Sequence, residues 1–241
     1  MGSEMATTQS DKIFCALDTP SLESAMSLAV SLKGLIGGAK LGLEFFSAQG
    51  PAGIQKVASA GLPVFLDLKL HDIPNTVAKA VKQLVPLKPR MMTIHTQGGP
   101  AMMKAAATAA TEAANEAGVD KPLLLGVTVL TSLNDDDLAG LGVSSDAGDQ
   151  VKRLADLALK AGLEGVVCSP FEIDVLRETF GDALTLVVPG IRPAGADAGD
   201  QKRVMTPREA VDAGADYLVI GRPITGADDP AAAAAKIVES L

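Results

Sequence analysis

Asp67, Lys69 and Asp72 fall within one short stretch, Asp67-Leu68-Lys69-Leu70-His71-Asp72. The preceding run, Pro63-Val64-Phe65-Leu66, has the length and composition of a buried strand. Residues two apart in a strand point the same way. Asp67 and Lys69 therefore share one face, and Leu66 and Leu68 the other. A carboxylate and an ammonium at the end of an apolar strand are costly to bury without compensation. Pro74 then allows a helix to start, with Val77, Val81, Leu84 and Val85 on its apolar stripe. A structural ion pair closing a strand-to-helix turn would show the same local pattern, so the rest of the chain has to decide.

Other chemistry-bearing residues recur at the ends of apolar runs: Asp18, Lys40, His95 with Thr96, Thr131, Ser169, Gly190 with Arg192, and Gly221 with Arg222. The opposite ends carry no comparable set. Val188-Pro189-Gly190-Ile191-Arg192-Pro193 and Ile220-Gly221-Arg222-Pro223-Ile224 each place a Gly and then an Arg just past a run. Gly lets backbone N–H groups come close to an anion and Arg adds a charged fork, so the pair reads as a phosphate site. The stretch between them, Pro193 to Met205 with Gly195, Asp197, Gly199, Asp200 and Gln201, is a candidate lid. His71 and His95 are the two histidines. They are too few for a His-based metal site, and His71 reads as ordering the Asp72 turn. No Gly-x-Gly-x-x-Gly follows the first run, which leaves dinucleotide binding without support.

The elements that must position these groups alternate regularly. Strands are expected at 12–18, 38–42, 63–69, 91–96, 123–130, 165–169, 184–190 and 217–222, and helices at 22–32, 45–60, 77–85, 100–117, 151–161, 171–180, 207–213 and 230–241. The apolar runs are continuous rather than alternating, as in parallel strands covered by helices. Ser169-Pro170-Phe171-Glu172 and Thr206-Pro207-Arg208-Glu209 each carry the start signal of a capped helix. Eight such units are the proportions of an α/β fold of the (β/α)₈ TIM-barrel type, in which chemistry sits at the C-terminal strand ends and phosphate beside strands 7 and 8. A doubly wound sheet is the rival. One domain over residues 11–241 is expected, after a flexible N-terminal segment over residues 1–10, with an Asp- and Gly-rich insert at 133–149.

Of the 241 residues, 47% are hydrophobic and 21% charged, which excludes disorder. The net charge of -8 opposes binding to nucleic acid or to an anionic membrane, so an anionic ligand needs a local positive cluster. One Tyr and no Trp leave no aromatic platform for single strands. Cys15 and Cys168 lie inside apolar runs and read as core residues in a reducing cytoplasm. Residues 1–10 lack the apolar centre of a signal peptide, and no apolar run approaches the roughly 20 residues a membrane helix needs.

The string Asp67-Leu-Lys69-Leu-His71-Asp72-Ile73-Pro74-Asn75-Thr76 closely resembles the signature of the orotidine 5'-phosphate decarboxylase family. The likeness extends to Ala16-Leu17-Asp18, Lys40-Leu-Gly, Gly126-Val-Thr-Val-Leu-Thr131-Ser, Pro189-Gly-Ile-Arg-Pro193 and Ile220-Gly-Arg-Pro. It implies decarboxylation of orotidine 5'-phosphate to UMP in pyrimidine biosynthesis, with no metal, flavin or other cofactor. Lys69 would donate the proton to the C6 carbanion, Asp67 would sit beside the departing carboxylate, and Asp67 and Asp72 would keep the lysines protonated. Asp18 and Lys40 would contact the ribose, with Lys40 also in the charged array. Thr131 and Ile73 would lie along the nucleotide, and Arg192, Gly221, Arg222 and Gln201 would hold its phosphate. The family also implies a homodimer in which Asp72 and Thr76 serve the partner's site. Two alternatives stay open: a Mg²⁺-dependent 3-keto-gulonate-phosphate decarboxylase-like enzyme, which shares Asp-x-Lys-x-x-Asp, and a non-catalytic nucleotide-binding barrel.

Overall fold

Eight short runs rich in apolar residues pair edge to edge and close on themselves: β1 (Ile13–Ala16), β2 (Gly38–Gly42), β3 (Val64–Leu70), β4 (Met91–His95), β5 (Leu123–Val127), β6 (Gly165–Val167), β7 (Thr185–Val188) and β8 (Tyr217–Ile220). All neighbours are parallel, in sequence order, and β8 pairs back with β1 to complete a closed barrel. The computed structural model describes residues 8–193 and 205–241. Ten helices among these residues wrap the sheet: α1 (Leu22–Leu32), α2 (Leu43–Ala58), α3 (Pro74–Leu84), α4 (Gly99–Ala117), α5 (Asp135–Gly140), α6 (Ala147–Lys160), α7 (Ile173–Phe180), α8 (Pro207–Asp212), α9 (Arg222–Thr225) and α10 (Pro230–Glu239). The barrel therefore prevails over the doubly wound sheet.

The alternation of strand side chains divides the core in two. Outward residues such as Ile13, Leu41, Leu66, Met92 and Ile94 join the helices in one large cluster. Inward residues Phe14, Ala16, Phe65, Met91, Leu125, Val187 and Val219 form a second cluster inside the barrel. Phe14 packs edge-on to Phe65, with ring centroids 6.1 Å apart, and to Tyr217, at 5.6 Å. Gly38 makes room for it, since a Cβ there would stand 2.2 Å from the Phe14 ring. Burying one such side chain contributes about 1.5–3 kcal/mol. The lower barrel is thus plugged by aromatic and aliphatic groups, and the next inward positions above Ala16, Phe65 and Met91 are left for Asp18, Asp67 and Thr93.

Helix chemistry follows the sequence closely where an apolar stripe exists. The Ala-rich segments are helices, and α4 buries Ala106, Ala109, Ala110, Ala113 and Ala114. Thr206 and Glu209 form the expected capping box at α8. The Ser169–Glu172 box is also present, but it opens a 3-10 turn (Pro170–Glu172) that leads into α7. The insert at 133–149 holds α5 and the first turn of α6, each started by a side-chain cap, Asn134 and Asp146 respectively. α5 buries only Leu138 and has no apolar stripe of its own, so periodicity does not find it, whereas α6 buries Val151, Leu154, Ala155 and Ala158 and is expected from Val151 onward. Several strands end two or three residues before the expected limits, as β5 does at Val127, because the chain leaves the ladder to form the mouth.

The N-terminal strand ends do carry ionic groups, contrary to expectation. Arg177 donates to the carbonyls of Gly181, Leu184 and Gly214 and to Asp216 Oδ2 at 2.5 Å, and Asp216 accepts from the Leu186 N–H at 2.7 Å. Lys121 pairs with Glu164, which also accepts from the Leu124 N–H. Both clusters tie down backbone at the barrel's base and line no part of the mouth cavity. Cys15 and Cys168 are buried free thiols, and burial pushes the Cys15 thiol up to about 12. No helix among the described residues is long and apolar enough to cross a membrane. Most of the expected N-terminal segment and all but the ends of the candidate lid, Gln201 included, lie outside the described residues.

Candidate active site

Lys40 is the central residue of β2, on its inward face above Gly38 and paired with Phe65, and Asp67 is the next inward residue of β3 above Phe65. Asp18 follows the end of β1. The three come together with Lys69 in an alternating row. Lys40 Nζ lies 3.2 Å from Asp18 Oδ1 and 3.6 Å from Asp67 Oδ2, and Lys69 Nζ lies 2.8 Å from the same Asp67 oxygen. Asp67 is 7% exposed. Burial alone would push its carboxyl up, but Lys40 and Lys69, with hydrogen bonds from Lys69 and Thr93, hold it below its ordinary value of 3.8. The carboxylate is therefore charged across the neutral range, and it is the counter-ion of two ammonium groups at once.

Lys69 reaches this position through an unusual backbone. Its φ is +49°, in the left-handed region that L side chains avoid. Between Leu66 and Leu70 the register with β4 shifts, so β3 bulges where its charged residues lie. A bulge of this kind re-aims side chains at a barrel rim.

The row opens into a cavity of about 340 Å³ at the C-terminal mouth, floored by Ala16, Phe65, Val127, Val167 and Val219. Asp18, Lys40, Asp67, Lys69, Thr131, Arg192, Gly221 and Arg222 all line it. Gly190, with φ +82°, turns the chain after β7 so that Arg192 enters the wall, where it is 8% exposed and donates from Nη1 to the Ile191 carbonyl at 2.8 Å. Arg222 begins α9 directly after β8. The alternating row, carried by β1, β2 and β3, and the two arginines, which follow β7 and β8, thus face one space large enough for a small anionic ligand. A positive wall and a charged row can hold an anion and polarise it at two places.

Three expected site residues lie elsewhere. Asp72, Ile73 and Thr76 are exposed on the turn into α3, and Ile73 is 66% exposed. Asp72 Oδ1 accepts from the Ile73 N–H at 2.7 Å. With His71, Pro74 and Gln97, Asp72 and Ile73 line a shallow surface depression of their own. The His71 ring lies 5.3 Å from that of His95, and burial, then His71 and Lys69, depress the pKa of His95 below 6.5, so its ring is neutral at pH 7. Thr93 was not singled out by its sequence, yet it touches both Asp67 and Lys69. A polar residue on the inward face of Met91-Met92-Thr93-Ile94 is the signal that could have found it. Among the described residues, no group of three His, Cys, Asp or Glu side chains is placed to hold a metal ion.

The sequence profile described as "Orotidine 5'-phosphate decarboxylase / HUMPS family" matches residues 11–237. The chain belongs to this family. Similar relatives are the orotidine 5'-phosphate decarboxylases of Rhodospirillum rubrum, 53% identical over 98% of this chain and 96% of that protein, and of Paramagnetospirillum magneticum, 52% identical over 95% and 97%. A crystal structure of orotidine 5'-phosphate decarboxylase from Lactobacillus acidophilus superposes with a TM-score of 0.84 at 38% identity, covering 94% of this chain and 97% of that one. The family match spans every residue from Asp18 to Arg222, so the charged row, the arginine wall and the exposed turn all fall within it.

Proposed function

We propose that this chain decarboxylates orotidine 5'-phosphate to UMP in de novo pyrimidine biosynthesis, without a cofactor, and that Lys69 is its proton donor. The observation that carries the reading is the alternating row Asp18–Lys40–Asp67–Lys69 facing the same cavity as Arg192 and Arg222. Breaking the C6–carboxylate bond releases CO₂ and leaves the electron pair on C6, with no adjacent carbonyl to absorb it. The Lys69 ammonium stabilises that pair and then transfers a proton to C6, and the resulting amine regains a proton from solvent. Asp67, beside the departing carboxylate, fixes Lys69 and Lys40 before the substrate arrives, so little reorganisation accompanies the reaction.

Asp18 and Lys40 bind the ribose hydroxyls, Thr131 lies along the pyrimidine, and Arg192, Gly221 and Arg222 hold the phosphate, with Gln201 reaching it from the following loop. The phosphate is remote from the broken bond, and its binding energy aligns the ring against Lys69. Asp72 and Thr76 complete the site of a second copy in a homodimer. Their exposure outside the chain's own cavity, with an apolar Ile73 at the centre, supports that placement. Buried free thiols fit a reducing cytoplasm.

An ammonium about 4 Å from the carbanion, at an effective dielectric constant of about 20, stabilises it by about 4 kcal/mol, or about a thousandfold in rate. Lys69→Ala is expected to lose at least that much turnover, followed by the fall in orotidine 5'-phosphate absorbance, while still binding UMP. Absence of turnover in the parent protein, or near-parental turnover in Lys69→Ala, would overturn the assignment. Loss of parental activity on chelation would instead favour the Mg²⁺-dependent sugar-phosphate chemistry.

A further inference from the structure

The bulge in β3 puts Lys69 out of reach of the regular ladder. Leu66 pairs with Met92 and Leu70 with Ile94, four steps along β3 against two along β4. Thr93 stands opposite the surplus residues. Its hydroxyl oxygen accepts from the Lys69 N–H at 2.9 Å and donates to Asp67 Oδ1 at 2.9 Å. The direction of both bonds is forced, because the amide can only donate and the charged carboxylate can only accept. Thr93 is 1% exposed, so water does not substitute for either partner.

This one hydroxyl therefore acts on both members of the reactive pair. It receives the N–H of the residue held at φ +49°, which would otherwise be left without a ladder partner. It also occupies Oδ1 of Asp67, leaving Oδ2 to face Lys69 Nζ at 2.8 Å and Lys40 Nζ at 3.6 Å. We infer that Thr93 is a positioning residue for the decarboxylation, holding the Lys69 backbone in its left-handed conformation and dividing the Asp67 carboxylate so that one oxygen faces both ammonium groups. The inference rests on the function proposed above. Thr93 lies beneath the pair and contributes nothing to the arginine wall or to the lining of the mouth cavity, so its effect falls on the chemical step rather than on nucleotide binding.

Two matched pairs test this, each differing chiefly in the hydroxyl: the parent against Thr93→Val, and Thr93→Ser against Thr93→Ala. A displacement of about 1 Å in a reacting group costs on the order of a hundredfold. In each pair the member without the hydroxyl is expected to lose roughly ten- to a hundredfold in kcat. Its Kd for UMP should change by less than about threefold, and Thr93→Ser should stay within about fivefold of the parent. If Thr93→Val does not fold, the Ser and Ala pair carries the same comparison. Equal kcat within both pairs would overturn the inference, as would a loss shared equally between kcat and UMP affinity. A parent protein with no activity on orotidine 5'-phosphate would instead overturn the function on which the inference rests.

Discussion

Asp67→Asn keeps the size of the side chain and removes one charge, and its effect can be worked from the distances around it. Asp67 Oδ2 lies 2.8 Å from Lys69 Nζ and 3.6 Å from Lys40 Nζ. At an effective dielectric constant of about 20 those separations correspond to about 6 and about 5 kcal/mol of attraction, before the cost of taking all three charges out of water. That cost removes much of the gain, and breaking a buried pair by losing one partner typically costs about 3–5 kcal/mol. The Lys69 side chain is 30% exposed, so part of its charge is solvated in any case. A loss of about 2–4 kcal/mol of stability is therefore expected. The amide cannot restore the network by rotating. With its one oxygen toward the ammonium groups the amide turns its NH2 to Thr93, whose hydroxyl proton loses the acceptor it has in the parent, and neither ammonium regains a counter-charge.

For a chain of this length a loss of that size lowers the melting temperature by about 5–15 °C at pH 7. The pH dependence supplies an internal control. The parent carboxyl is held below 3.8 in the folded state, so its contribution to stability is fully present above that value. It is lost as the pH falls through the lowered folded value. Thermal unfolding of parent and variant should differ most near neutrality and converge in acid below about pH 4. Turnover should fall by on the order of a hundredfold, because two ammonium groups lose the anchor that aims them. A variant that melts within a degree or so of the parent at pH 7, or a gap that persists unchanged in acid, would refute the electrostatic reasoning.

Two further variants probe strain and scaffolding. Lys69→Gly should be more stable than Lys69→Ala by about 0.5–1 kcal/mol in urea titrations, because the left-handed φ penalises any Cβ by about 1–2 kcal/mol and glycine's extra freedom in the unfolded chain returns part of that. A less stable glycine variant would show that the backbone is not strained. Arg177→Met should cost about 3 kcal/mol, read as a lower urea midpoint, because it strips hydrogen bonds from three carbonyls and leaves Asp216 without its cation. Its kcat should stay at the parental value, since the cluster lies at the base of the barrel.

The parts of this protein legible in its sequence are those in which one short segment carries the whole signal. Continuous apolar runs mark the eight strands, because a parallel strand buried on both faces needs no polar partner of its own. The Pro and Glu of Thr206-Pro207-Arg208-Glu209 mark a helix start, because capping is satisfied within four residues. Charged and Gly-Arg residues at one end of those runs mark a mouth, and eight of the twelve expected site residues do line its cavity. By contrast, α5 was not legible, because its start depends on the Asn134–Asp137 capping box and it has no apolar stripe.

The sequence by itself determined the alternation of strand and helix, the inward layer of polar residues, and the identity of the charges at the rim. All of these follow from the local period of side chains along the chain. The tertiary structure alone decided that the sheet closes, since closure depends on β8 meeting β1 across some two hundred residues. It also decided that Thr93 of one strand serves a bulge in its neighbour, and that Asp72, Ile73 and Thr76 stand exposed outside the chain's own cavity. The physical reason is the same in each case. Register, bulging and the direction of a turn arise from pairing between distant segments, and no local pattern of residue types encodes which partner a strand will meet or at what offset.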